Sequence, residues 1–225
     1  SRASTMPLDE ANQTWGIAII KAQLNLPETS LEPSVTLVLY GGAALDGLSP
    51  TLTAARLQTS TALPPCPEAP PAALLIQSPP GTSATLTLNG ASLTLGSTVY
   101  VTAPANGTLT IATLEGTVVV SARGTTRIVR PGAQVRLPLG GDGGQEVIGA
   151  PSEPEPLDIN PLQHAPFALL ERPITLPVPL VLSTAAAPTP PVPTTAPAVV
   201  IPCIPRPDWA GTITVQRGDT LSTIA

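Results

Sequence analysis

Hydrolysis by a protein needs a nucleophile beside a base, or two carboxylates set across a scissile bond. This 225-residue sequence holds one histidine, His164, inside a proline-rich stretch, and no G-x-S-x-G turn stands near it. A surface or helix-end histidine is the plainer reading. Two acidic groups have the charge to attract calcium: Asp142 with Glu146, and Glu153 with Glu155 and Asp158. Neither shows the ligand spacing of a calcium loop, and both read as solvated acidic segments. Two cysteines, Cys66 and Cys203, cannot build a zinc site without histidines. The residues predict no enzyme, no metal centre and no cofactor.

Binding chemistry is better represented. Arg123, Arg127, Arg130 and Arg136 form the one basic cluster and suit an anionic polymer or an acidic neighbour. Alternation puts Arg127 with Val129 on one strand face and Ile128 with Arg130 on the other, so the cluster is split. Solvated strand faces and edge protection are the simpler explanation. At the C-terminal end, Ile213 and Val215 alternate as a strand and Gly218-Asp219 marks a turn. Asp219 or Thr220 caps a helix carrying Leu221 and Ile224. Asn12-Gln13-Thr14 and Asn106-Gly107-Thr108 match glycosylation sequons, the second being more simply a turn.

Composition narrows the class. Charged residues are 11%, aromatics 2%, and there are 30 Pro and 18 Gly. Pro and Gly both interrupt helices, so few long helices are expected. Net charge is −5, which speaks against nucleic acid as a partner. No run reaches the roughly 18 apolar residues of a membrane span. Lys21 is the sole lysine, and the Thr, Ser, Ala and Pro background suits a protein outside the cytoplasm. An even cysteine count in a secreted chain invites a disulfide, here Cys66–Cys203.

Strands carry most of these residues. Residues 15–26 read as a long strand with Ala18, Ile20, Ala22, Leu24 and Leu26 on one face. Residues 34–40 form a second, antiparallel to it. Residues 51–58 fit a strand or a short helix. Short strands come next at 73–77, 83–89, 91–95 and 98–102, and Asn89-Gly90 is the strongest hairpin turn. Four more lie between Thr108 and Leu139, punctuated by Glu115-Gly116, Arg123-Gly124 and Pro131-Gly132. The pattern predicts an all-β fold, an antiparallel sandwich or a solenoid-like body. Residues 140–172 read as acidic and irregular, with one or two helical turns between Pro161 and Leu170. From Pro173 to Pro207 the Pro/Thr/Ala mixture predicts a semi-rigid extended arm. Within it, residues 178–182 and 199–201 are apolar enough to dock against a sheet.

The motifs L-E-G-T-V-V-V (Leu114–Val120) and I-V-R-P-G-A-Q-V-R-L (Ile128–Leu137) resemble the FecR-like domain, clearest over residues 83–139. The strands from Trp15 onward look like the region that precedes such domains in secreted bacterial proteins of the Chloroflexi type. The stretch T-I-T-V-Q-R-G-D-T-L-S-T-I-A (Thr212–Ala225) resembles the opening of a LysM module, a small βααβ domain that binds N-acetylglucosamine-containing glycans such as peptidoglycan. That resemblance implies glycan contacts at Gly218, Asp219, Thr220 and Leu221. It also implies a second disulfide choice, Cys203 with a cysteine inside the module. A piece so short buries no core, so the sequence reads as part of a longer chain. The expected layout is an N-terminal β segment (1–60), a FecR-like domain (61–150), an acidic then proline-rich linker (151–207) and the LysM start (208–225). The expected function is non-enzymatic attachment at the cell surface, with peptidoglycan or a related glycan as partner. The alternatives are a structural subunit of an extracellular filament or sheath, with identical copies as partners, and a periplasmic sensor of the FecR kind.

Overall fold

The structure, a computed structural model, describes residues 1–181 except 13, 23–33, 50, 51, 63, 65, 67 and 97. The chain divides into Ser1–Leu182 and Ser183–Ala225, and the described residues all belong to the first unit. The expected boundary at residue 60 falls inside that unit.

The strands among the described residues are, in chain order, β1 (Arg2–Ser4), β2 (Ile17–Ala22), β3 (Val35–Tyr40), β4 (Ala43–Gly47), β5 (Ala54–Thr59), β6 (Ala73–Gln77), β7 (Ala84–Leu88), β8 (Ala91–Leu95), β9 (Thr98–Thr102), β10 (Thr108–Glu115), β11 (Val118–Ala122), β12 (Thr125–Val129), β13 (Ala133–Gly140), β14 (Glu146–Val147) and β15 (Glu155–Pro156). They build two sheets and a β-sandwich. One sheet runs β1-β4-β5-β7-β8-β11-β12. The other runs β14-β13-β10-β9-β6-β3-β2, with β15 also on β13. These strand pairs are antiparallel except β5 with β7, where Ala54 meets Thr87 and Ala55 meets Leu88.

Of the strand expected over 15–26, β2 spans Ile17–Ala22, where Ala18, Ile20 and Ala22 face the core as alternation required, while Leu24 and Leu26 lie outside the described residues. The segment 51–58 contributes a strand, β5, and not a helix. β4 carries no sequence signal beyond Ala43 and Leu45 and was not anticipated. The hairpin at Asn89-Gly90 has φ of 52° and 86°, and Arg123-Gly124 repeats the geometry at 48° and 76°. Both central residues are left-handed, as a two-residue hairpin with right-twisted strands requires. The Glu115-Gly116 and Pro131-Gly132 links do something else. Each carries the chain from one sheet to the other, which is what closes the sandwich.

The two sheets differ in how their strands are buried. β7 and β8 alternate, with Ala84, Leu86, Leu88, Ala91, Leu93 and Leu95 inward and Thr85, Thr87 and Thr94 outward. β3 (VTLVLY) and β6 (ALLIQ) are buried at every position. Leu37, Leu39, Leu74 and Ile76 fill the inter-sheet core, while Val38, Tyr40, Ala73 and Leu75 form a second apolar layer on the far face. That layer is roofed by the tail that runs on from β15: Leu157, Leu162 and Leu170, with Phe167, Leu169 and Ile174 beside them. Each buried leucine is worth about 2 kcal/mol of gross transfer energy. The tail is therefore a third layer. Single turns of 3-10 helix at 160–162 and 167–169 match the helical turns expected there.

Candidate functional site

Three of the four clustered arginines are occupied within the chain. Arg127 Nη2 lies 2.6 Å from Glu153 Oε1, and Arg136 Nε lies 2.6 Å from Glu155 Oε1. Arg123 donates Nε and Nη2 to the Val147 carbonyl at 3.1 and 2.8 Å. Arg130 is exposed and has no acidic partner among the described residues. The acidic run 152–158, which reads as an extended solvated segment, lies along β13 because Glu155 pairs with Gln134 and Leu157 is buried. Glu146 likewise pairs with Arg56 at 3.0 Å. His164 is exposed, and Cys66 is half-buried in the loop before β6. Cys203 and Gly218, Asp219, Thr220 and Leu221 lie outside the described residues, as does the apolar segment 199–201. Near the other apolar segment, the Leu180 amide donates to the Gly132 carbonyl at 2.6 Å. Asn106, with φ of 55°, is a turn residue whose amide donates to the Gly144 carbonyl.

Sequence reasoning did not bring the aromatic residues together, yet four of them meet. Trp15, Tyr40, Tyr100 and Phe167 all belong to the layer between the second sheet and the tail. Trp15 and Tyr40 pack edge to face, centroids 5.8 Å apart at 65°. The Trp15 Nε1, Tyr40 Oη and Tyr100 Oη atoms are buried and have no hydrogen-bond partner among the described residues. Burial drives both phenols above their ordinary ionisation range. The neighbouring Tyr100 adds to this at Tyr40, and the Asp158 carboxylate adds to it at Tyr100.

Beside this layer the tail leaves part of the sheet uncovered. Register places Thr102 of β9 opposite Thr110 of β10, and Thr110 opposite Arg136 of β13. The next row inward is Tyr100, Ala112 and Gln134. Thr102, Thr110, Arg136, Tyr100 and Gln134 together floor a cleft of about 360 Å³. Asp158 and Pro161 of the tail form one wall, and Thr59, Ser60 and Thr61 at the end of β5 contribute another. Gln134 is the hinge of the tail wall. Its Nε2 donates to Glu155 at 2.9 Å, and its Oε1 accepts from the Asp158 amide at 3.3 Å. The cleft thus offers several hydroxyls, one guanidinium already neutralised by Glu155, and one carboxylate. That set recognises hydroxyl-bearing groups better than it performs acid–base chemistry. The periodicity of β9 and β10 carried half the signal for it, since Thr102 and Thr110 stand on their outward positions, to which β13 adds Gln134 and Arg136. The pairing of those strands and the path of the tail were not readable.

No family model matches this sequence. No curated protein matches it either. Two crystal structures of a candidate anti-sigma factor from Parabacteroides distasonis are similar over part of their length. One shares 11% identity and a TM-score of 0.36, covering 61% of this chain and 60% of that one. The other gives 11% and 0.36 over 60% and 59%. This chain therefore spans about 60% of that protein's length. A likeness this distant carries no inference about what the present chain does.

Proposed function

We propose that this chain is a non-enzymatic extracellular surface protein whose β-sandwich is held to cell-wall glycan through the segment that begins at Thr212. The observation that carries the reading is the run T-I-T-V-Q-R-G-D-T-L-S-T-I-A, which comes after a proline-rich stretch and resembles the opening of a LysM module. The compact unit ends at Leu182, which supports a division of labour between a closed body and the residues C-terminal to it. A resistant body suits this role. The tail packs its leucines onto the sheet, and ion pairs tie its acidic run to Arg136 of β13 and Arg127 of β12. Gly218, Asp219, Thr220 and Leu221 supply the contacts to the acetamido group of the sugar. The test is retention of the full-length protein on purified peptidoglycan. Retention that disappears when the chain from residue 208 onward is deleted supports attachment, and no retention above background removes it.

One observation favours a second reading, a subunit of an extracellular filament or sheath. Ile17 and Ile19 of β2 are 39% and 52% exposed, on the terminal strand of the second sheet. An apolar terminal strand suits strand addition by another copy. Concentration-dependent polymers by electron microscopy, lost in Ile19→Lys, support that reading; monomers at all concentrations exclude it.

A further inference from the structure

The geometry points to a saccharide-binding site on the sandwich itself, in the cleft floored by Thr102, Thr110 and Arg136, with neutral, hydroxyl-rich sugars as the ligand class. This site is separate from the glycan contacts proposed for residues 218–221 and does not depend on them.

Four observations meet at this cleft. The first is volume: about 360 Å³ falls in the range of small-ligand sites, at the size of one or two sugar rings. The second is the floor. Register sets Thr102 and Thr110 side by side, on adjacent strands of a three-layered body. A hydroxyl both donates and accepts, so a pair of them matches a vicinal diol without any charge. Rigid strands also hold the pair in position at little ordering cost on binding. The third is electrostatic. Arg136 is bound to Glu155 at 2.6 Å, and Asp158 stands on the wall, so the described residues bring no spare positive charge to the cleft. Anionic sugars therefore meet repulsion, and neutral ones do not. The fourth is Tyr100, 4% exposed, the one aromatic residue among those that line the cleft. Ligand sites combine apolar and aromatic side chains with a few polar groups, and an aromatic residue beside the threonine pair meets that description.

Other features carry less. The hollow beside Arg56, Asn89 and Arg123 is lined by groups already committed to Glu146, Leu57 and Val147. Among the described residues, the hollow beside Pro7, Pro64 and Pro70 has no hydrogen-bonding side chain.

The test uses the whole 225-residue chain, labelled with ¹⁵N, and tracks amide shifts during titration with cellobiose, di-N-acetylchitobiose and glucuronate. The neutral disaccharides are expected to shift the amides of Thr102, Thr110, Gln134, Arg136 and Asp158, and glucuronate to bind more weakly. Thr102→Val with Thr110→Val keeps β-branched strand residues and should weaken binding by about tenfold or more. Asp158→Asn should narrow the gap between glucuronate and the neutral sugars. Absence of cleft shifts up to roughly 50 mM of every sugar overturns the proposal. So do shifts confined to residues 218–221, equal binding by the double variant, and tighter binding of glucuronate. A cleft without shifts leaves wall attachment standing, because that reading rests on a different segment and a different assay.

Discussion

Gln77 holds Arg172 by its backbone on both sides. The Arg172 amide donates to Gln77 Oε1 at 2.9 Å, and Gln77 Nε2 donates to the Arg172 carbonyl at 3.1 Å. A side-chain amide here copies the pairing that a neighbouring strand would supply. Gln77 is 3% exposed at the end of β6, so the contact is shielded from water. The Arg172 side chain completes the latch by reaching Glu115 at 3.1 Å. Gln77→Leu would leave both backbone groups of Arg172 in a half-dry site without partners. We predict a loss of about 1–3 kcal/mol in urea unfolding. Hydrogen exchange at the Arg172 amide should also quicken in native buffer, whereas Gln77→Glu should keep an acceptor for that amide and hold its protection.

Asn89 does two jobs at once. It occupies a left-handed conformation in the β7–β8 turn, and its side-chain amide binds the Leu57 backbone of β5 from both sides, at 2.9 Å each. Nδ2 also donates to the Gln145 carbonyl at 2.7 Å. This residue fastens the short parallel pairing of β5 with β7. Asn89→Ala should cost about 2–4 kcal/mol, from left-handed strain together with unpaired Leu57 backbone groups. Asn89→Gly should restore only the strain component, so thermal denaturation should rank wild type above Gly and Gly above Ala.

Gly132 is crossed twice by the tail. Its carbonyl accepts from Leu157 at 2.9 Å and from Leu180 at 2.6 Å, and its φ is 81°. A β-carbon here would press on the Val178 carbonyl. Gly132→Ala is expected to destabilise the protein by about 1–2 kcal/mol from conformation alone. It should also release residues 178–180 from β13, seen as faster hydrogen exchange at the Leu180 amide.

Tyr40 and Tyr100 are the two tyrosines of the sequence, and the hydroxyl oxygens of both are buried. Burial raises both above the ordinary phenol value of 10.0. A raised folded value means the folded state holds its proton where the unfolded state loses it. The stabilising contribution is complete below pH 10 and declines as alkalinity rises above that value. Absorbance near 295 nm should stay flat past about pH 10 and then rise together with loss of near-ultraviolet circular dichroism. A gradual rise centred on about pH 10 in folded protein would contradict the buried placement.

Local order was legible in the sequence to the extent that it is local in physics. Val118-Val119-Val120 against Arg127-Ile128-Val129, and Thr85 to Leu88 against Ala91 to Thr94, are hairpins whose turns impose positive φ that Asn, Gly and a tolerant Arg can meet. Alternation then assigned the inward face of β2, and the same alternation governs β7, β8 and β11. It failed as a guide in β3 and β6. Their continuous apolar runs record burial on two faces, and periodicity does not say what supplies the second cover. It failed again at β4, whose small residues become a strand because β1 and β5 pair with its two edges.

The candidate cleft shows the same division. Which residues carry hydroxyls, and that Thr102 and Thr110 face outward, can be read along the chain. That these two stand opposite each other depends on pairing between β9 and β10. That Asp158 walls the cleft depends on a tail whose acidic composition looks fully solvated when taken alone. Glu153 and Glu155 lose water on one side and gain Arg127 and Arg136, while Leu157, Leu162 and Leu170 gain a dry sheet. Composition, the two-residue hairpin turns and the inward face of β2 were thus settled by the sequence, because near-neighbour sterics and alternation govern them. The sheet order, the third layer and the cleft beside it were decided only by the tertiary structure, because they depend on contacts between residues far apart in the chain.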